Sequence, residues 1–295
     1  MKIYLRIIYS LIIMMVLSCE TETVPDEVEV NEITEEVDET SLKAGRWRVV
    51  FADYFTKGGN LNKWQKTNRA DYNSNRCKYR SGNPRLVTFD NRDCLELSAY
   101  KSGNNYISGH VKSNFSFKPG RNQEYRVTSR IKLIARQGRT YKGFAQTYGA
   151  WPAFWTVNES NWPVGGEIDI MEGYSFGNRA RFASNLFYGT QTGQNLLGSS
   201  GERGYSVGEG WHKYEQFWRN ENGRITVRIV VDNKQVAFYR NSTNRNLKLE
   251  NFNRHNVILN LNVGSDTGIF DNSQINLFSR TYMYIDGVSV HRRSL

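Results

Sequence analysis

Cysteine and proline are scarce in this chain, with three and five among 295 residues. Three cysteines are too few to staple a small secreted scaffold. So little proline, beside 25 glycines, excludes a collagen-like or proline-rich architecture. Beyond the first twenty residues no apolar run approaches the ~18 residues that a membrane-spanning helix needs. No stretch keeps a helical hydrophobic period between caps, and no internal repeat is found. Aromatic residues, by contrast, are plentiful. Seven Trp, 17 Tyr and 15 Phe exclude a wholly disordered chain, and 39% apolar residues suffice for a core. All-β sandwiches of about 250 residues often form one unit, so a single large domain is expected.

Lys2 and Arg6 precede an apolar run from Ile7 to Leu17. A short basic region followed by an apolar one of ~7–15 residues is an export signal rather than a span. The run closes in Val16-Leu17-Ser18-Cys19. That ending resembles a bacterial lipobox, in which the cysteine is lipidated and becomes the mature N-terminus. The competing reading is an ordinary signal peptide with an incidental Cys19. Residues 20–43 then carry ten acidic side chains, one Lys and no aromatic. Such a segment cannot bury enough apolar area to offset its ordering entropy. The expected division is a signal peptide 1–18, an acidic tether 19–45 and a folded domain 46–295. At ~5–6 Å × √n the tether would hold the domain roughly 25–30 Å from a lipid anchor. Acidic residues after the cysteine also resemble the surface-export signals of some Gram-negative lipoproteins. The expected location is the outer membrane facing outward, with a periplasmic or secreted protein as the alternative.

The whole chain has a formal charge of +10. Setting aside signal and tether, which hold three basic and ten acidic residues, leaves 36 basic and 19 acidic ones, a net +17. Such a field favours a polyanionic partner: nucleic acid, an anionic membrane, or a sulfated or carboxylated polysaccharide. Two cysteines remain in this domain, Cys77 and Cys94. In an exported protein they could form a disulfide across a short loop, or stay as separate thiols.

From Arg46 onward the pattern is that of strands. Runs rich in Val, Ile, Tyr and Phe recur between Gly, Asn and Asp clusters: Trp47–Ala52, Leu95–Tyr100, Tyr125–Ile134, Ile225–Val231, Asn256–Val263 and Met283–Val290. Residues 224–231 alternate clearly, and Asp232-Asn233 then makes a turn. Many short strands at this spacing predict an all-β sandwich or jelly roll. Residues 137–149, rich in Gly, Gln and Tyr, are expected to form an exposed loop.

One stretch carries chemistry: Trp151-Pro152-Ala153-Phe154-Trp155, then Gly165-Gly166-Glu167-Ile168-Asp169-Ile170-Met171-Glu172-Gly173. On a regular strand Glu167 and Asp169 share a face, while Ile168 and Ile170 take the other. Glu172 has the wrong parity, and one β-bulge at Ile170–Met171 would bring it onto the acidic face. Three acids on one face repel each other and are costly to desolvate, and no basic residue lies between Pro163 and Phe176. An exposed acidic edge strand is the alternative, but the flanking Ile, Met and Trp argue for burial. Two carboxylates facing one cleft are what glycoside hydrolysis needs. A third between them can hydrogen-bond the nucleophile and separate the other two pKa values.

These residues resemble glycoside hydrolase family 16 in its bulged form, Glu-x-Asp-x-x-Glu. The resemblance extends to Phe51–Phe55 with Leu61–Trp64, Tyr125–Leu133, Trp211–Tyr214, Leu259–Gly264 and Met283–Asp286, covering roughly residues 46–292. It implies a concanavalin A-like β-jelly roll of two curved antiparallel sheets around a substrate cleft, cleaving β-linked polysaccharide internally with retention. Carried over by position, Glu167 is the nucleophile, Asp169 its helper and Glu172 the general acid/base. Trp151 and Trp155 resemble subsite aromatics, with core packing as their other reading. Asn185 departs from the pattern, since members often carry a His there. No cofactor is required, and a structural calcium is left open.

The substrate reading rests on charge. A neutral glucan gives no reason for a +17 domain, whereas a sulfated galactan needs charge-assisted hydrogen bonds, best from Arg. Arg69, Arg76 and Arg80 lie in the basic segment 68–85, where the galactan-cleaving relatives have cleft loops. The expectation is a β-porphyranase cutting β-1,4 linkages between positive cleft walls. A β-agarase, kappa-carrageenase or laminarinase is the alternative. A non-catalytic polysaccharide-binding lipoprotein would fit if either Glu were missing, and both are present. Nucleic acid is disfavoured, because the acidic strand repels phosphate. The expected partners are therefore an anionic polysaccharide and, through the lipid alone, a membrane, with the protein a monomer.

Overall fold

Alternation between apolar and polar positions writes most of this structure. In the strand Arg224–Val231 the core takes Val227, Ile229 and Val231. Asp232 and Asn233 then both adopt positive φ, 47° and 66°. This is the primed two-residue turn whose twist suits a hairpin, and it returns the chain as Lys234–Arg240. The computed structural model describes residues 45–70, 76–275, 277 and 279–295. The signal peptide, Cys19 and the tether as far as residue 44 lie outside them.

Among the described residues two sheets face each other. The cleft sheet has seven antiparallel strands in the order Arg203–Tyr205, Ala180–Phe187, Glu167–Ser175, Ala150–Val157, His255–Val263, His110–Phe117 and Trp64–Lys66. The long sheet has twelve, with Gln123–Gln137 and Arg280–Ser294 side by side at its middle. Between the sheets lies the main core, to which Phe154, Ile168, Met171, Leu259 and Leu261 contribute from one side. Leu95, Leu97, Ile131, Trp218 and Met283 come from the other. Among the described residues there are only short 3-10 turns and no α-helix. The expected β-jelly roll is what the chain forms.

The structure departs from expectation in three places. Residues 137–149 are not a plain exposed loop. Thr140–Gly143 pairs back onto the end of Gln123–Gln137, with Gly138 at φ 57° in the turn. Phe144 then buries itself in the core. The long sheet is not wholly antiparallel, because Cys77–Tyr79 runs parallel to Asn105–Ser108. Finally, Cys77 and Cys94 form no disulfide. On the strand Arg92–Ser102, Leu95, Leu97 and Ala99 face the main core. Cys94 has the other parity and joins a separate cluster with Ile134, Tyr282 and Tyr284, whereas Cys77 sits in the main core. The sheet itself separates the two thiols.

Candidate active site

The bulge falls where parity requires it. Asp169 pairs with Asn185, and Glu172 with Ala183, so Ile170 and Met171 together stand opposite Ser184 alone. The other neighbouring strand skips Ile170, passing from Trp155–Asp169 to Phe154–Met171. Ile168, Ile170 and Met171 point into the core. Glu167, Asp169 and Glu172 all line the cleft on the opposite face. The strand is entered through Gly166, at φ +80°, where a Cβ would come 2.4 Å from the Phe252 ring. Only glycine meets both demands there.

The cleft encloses about 400 Å³. Trp151 and Trp155 form its wall and are only 7% and 8% exposed. Their indoles also act as donors. Trp151 Nε1 donates to Glu172 at 2.9 Å, and Trp155 Nε1 to Asn260 Oδ1 at 2.7 Å. The Asn185 amide donates to the other oxygen of Glu172, so the departure from His still supplies a hydrogen bond to that carboxyl. Trp162 Nε1 donates to Glu167 at 2.8 Å. Asp169 hydrogen-bonds with Glu172 rather than with Glu167, and its Oδ2 is buried without a partner. The helper expected beside the first Glu is thus bonded to the second.

Trp162, Tyr79, Asn260 and Asn262 also line the cleft and were not singled out from sequence. For the two asparagines a signal existed. They alternate with Leu259, Leu261 and Val263, which puts polar side chains on the face away from the core. Trp162 lies in the loop before the acidic strand, where no period marks it.

Burial raises the pKa of all three acids. For Glu167 the charge of Glu172 adds to desolvation, and only the Trp162 hydrogen bond opposes them. Asp169 is pushed well up by desolvation and then by both Glu charges. Glu172 is raised by desolvation, but hydrogen bonds from Asn185, Tyr174 and Trp151 pull it back. The cluster therefore retains protons that free carboxyls would release. More hydrogen-bond donors surround Glu172 than Glu167. This arrangement has what acid/base and nucleophilic work on a glycosidic bond requires: carboxyls of unequal proton affinity, on one face, away from bulk water.

The cleft walls are not positive. Among the described residues lining it, Arg69 is the one cation, against Glu159, Glu167, Asp169 and Glu172. Glu159 lies 3.6 Å from Arg69 and 2.7 Å from Lys112, which offsets part of even that charge. Arg76 and Arg80 do not line the cleft, and Arg80 turns its guanidinium to the Tyr79 carbonyl at 3.0 Å. Alternation brings the acids together, but it says nothing about where loop arginines turn. No group of three or more His, Cys, Asp or Glu suited to a metal occurs among the described residues.

Fold and site together define a jelly-roll sandwich with a carboxyl-floored cleft, and residues 141–195 match the family model described as XgeA-like, catalytic GH16 domain. The structure is similar to an endo-1,3-β-glucanase from Streptomyces sioyaensis, with a TM-score of 0.70 at 22% identity, covering 84% of this chain and 97% of that one. It is also similar to a GH16 protein of the Bacteroides ovatus mixed-linkage glucan locus, solved with an oligosaccharide product. There the TM-score is 0.62 at 23% identity, covering 82% of this chain and all of the other. A probable glycosidase of Schizosaccharomyces pombe is 62% identical over 29 residues, which are 10% of this chain and 7% of that protein.

Proposed function

We propose that the chain is an endo-acting, retaining β-glycoside hydrolase of family 16, and that its substrate is a neutral β-glucan. The observation that carries the chemistry is the bulged strand, which aims Glu167, Asp169 and Glu172 into one buried cleft. In this reading Glu167 attacks the anomeric carbon as the glycosidic bond breaks. Glu172 gives its proton to the departing oxygen. Water then attacks the glycosyl–Glu167 ester, Glu172 takes a proton from that water, and the sugar leaves with its configuration retained. For this a proton must rest on Glu172, and Glu167 must be charged, when the sugar is bound. Asp169, bonded to Glu172 and near both charges, is placed to relay that proton. The glucan assignment is supported by the lack of a positive wall and by the likeness to an endo-1,3-β-glucanase and to the GH16 protein of a mixed-linkage glucan locus. A sulfated galactan such as porphyran is the second reading, favoured by Arg69 at the cleft with its side chain 42% exposed.

The test has two parts. Glu167→Gln and Glu172→Gln should each remove nearly all turnover, at least about a thousandfold, while both proteins stay folded. With an activated aryl glycoside and azide, Glu167→Ala should form the α-glycosyl azide and Glu172→Ala the β-anomer. Inverted products would exchange the two roles. Laminarin, mixed-linkage glucan, agarose and porphyran are then compared by kcat/KM. Preference for porphyran would overturn the glucan assignment and leave the mechanism standing.

The chain is further proposed to be an exported lipoprotein anchored through Cys19 at the outer membrane. This rests on the lipobox-like ending of the apolar run.

A further inference from the structure

The net charge of +17 has no outlet in the cleft, so it acts elsewhere. On the outer face of the long sheet a second pocket of about 440 Å³ lies among Arg85, Glu96, Arg136, Tyr141, Arg280 and Tyr282. Its construction follows from strand register. Arg136 stands directly opposite Arg280, and Tyr141 is paired with Arg136 on the other side. The Arg280 guanidinium lies 4.5 Å over the Tyr100 ring. One row across the sheet therefore sets two adjacent cations between aromatics: Tyr141, Arg136, Arg280, Tyr100.

Like charges directly opposite in an antiparallel ladder are destabilising. Three other arginines on this face have carboxylate partners. Arg85 is paired with Glu96, Arg92 with Asp286, and Arg293 with Glu124. Glu96, at the floor of this pocket, is committed to Arg85 and to the Tyr284 hydroxyl. Arg136 spends its Nε on the Gly138 carbonyl at 2.7 Å and reaches the Tyr282 hydroxyl. Among the described residues neither Arg136 nor Arg280 pairs with a carboxylate. The fold thus keeps two adjacent guanidinium groups without a counter-charge, beside a tyrosine that is 55% exposed.

We propose that this pocket is a second carbohydrate site, which binds an oxyanion-bearing unit of an acidic polysaccharide away from the cleft. The oxyanion bridges Arg136 and Arg280, whose planar donors suit a sulfate ester or a carboxylate. Tyr141 offers an apolar face to the sugar ring that carries it. The site is independent of the chemistry proposed for the cleft.

Binding is measured by calorimetry and by electrophoresis in polysaccharide gels, with the full chain carrying Glu167→Gln so that polymer is not consumed. The probes are kappa-carrageenan, polygalacturonate and laminarin. Retardation by carrageenan alone identifies sulfate, and by polygalacturonate alone carboxylate. Arg136→Gln with Arg280→Gln should weaken that binding about tenfold or more. A control pair on exposed strand positions, Arg48→Gln with Arg224→Gln, removes the same net charge and should change it less than twofold. Near-ultraviolet circular dichroism verifies that both doubles are folded. Three results would each overturn the site: no binding to either acidic polymer, equal loss in the control pair, or equal affinity for double-stranded DNA or phosphatidylglycerol vesicles. Cleavage of polymer by Glu167→Gln would count against the catalytic assignment and leave this comparison intact.

Discussion

Asp169 has a buried oxygen without a partner and a carboxyl held well above the ordinary range, by desolvation first and by the two glutamates next. The folded protein keeps a proton there that the unfolded chain gives up near pH 4. Folding therefore takes up a proton, and stability falls as pH rises from about 4 through the folded-state pKa. Asp169→Asn removes that dependence. Its stability relative to the parent should grow with pH, by up to about 1.4 kcal/mol per unit within this window. Thermal unfolding of both proteins from pH 4 to 8 tests it. A difference that stays flat, or shrinks with pH, would mean that Asp169 is ionised in the fold. Turnover should drop in the same variant, because the amide cannot relay a proton to Glu172.

At the scale of a single element, the bulge makes an asymmetric prediction. The strand Ala150–Val157 skips Ile170, so deleting Ile170 leaves a regular ladder with Glu172 still opposite Ala183 and still facing the cleft. The deletion loses one core side chain, at about 2–5 kcal/mol, but keeps the acidic face. Inserting an alanine between Met171 and Glu172 turns Glu172 inward, into the place of Gly173 beside Phe144 and Phe182. The deletion should fold with a lowered Tm and retain measurable activity, and the insertion should retain none. An active insertion beside an inactive deletion would refute the parity argument. This element was readable in the sequence because parity is a local property. The six strands that the apolar runs mark are also present, five of them a residue or more longer than the run and the first, Arg48–Asp53, of equal length and shifted by one. Pairing distant in sequence was not readable. Nothing local says that Cys77–Tyr79 runs parallel to Asn105–Ser108, or that Trp162 comes back from its loop to bond Glu167. The misplaced arginines share this origin, since a loop side chain's direction is set by neighbours that the pattern does not name.

At the scale of the whole molecule, the anchor proposed at Cys19 fixes what the mature N-terminus should be. Intact mass spectrometry of the protein recovered from its native membrane should find Cys19 first, carrying acyl chains. An unmodified N-terminus downstream of Cys19 would refute the anchor. Cys19→Ala should move the protein from the membrane fraction to the soluble one, with catalysis in detergent unaltered.

The cleft and the arginine pocket open on the outer faces of different sheets, with the whole hydrophobic core between them. A stiff polysaccharide cannot follow a short path from one to the other. The segment held at the pocket is then not the segment being cut. Cutting in the cleft does not erode the hold, and a neutral glucan woven into an acidic gel could be grazed from a fixed mooring. Such an enzyme would work through the mesh within its reach instead of travelling along one strand.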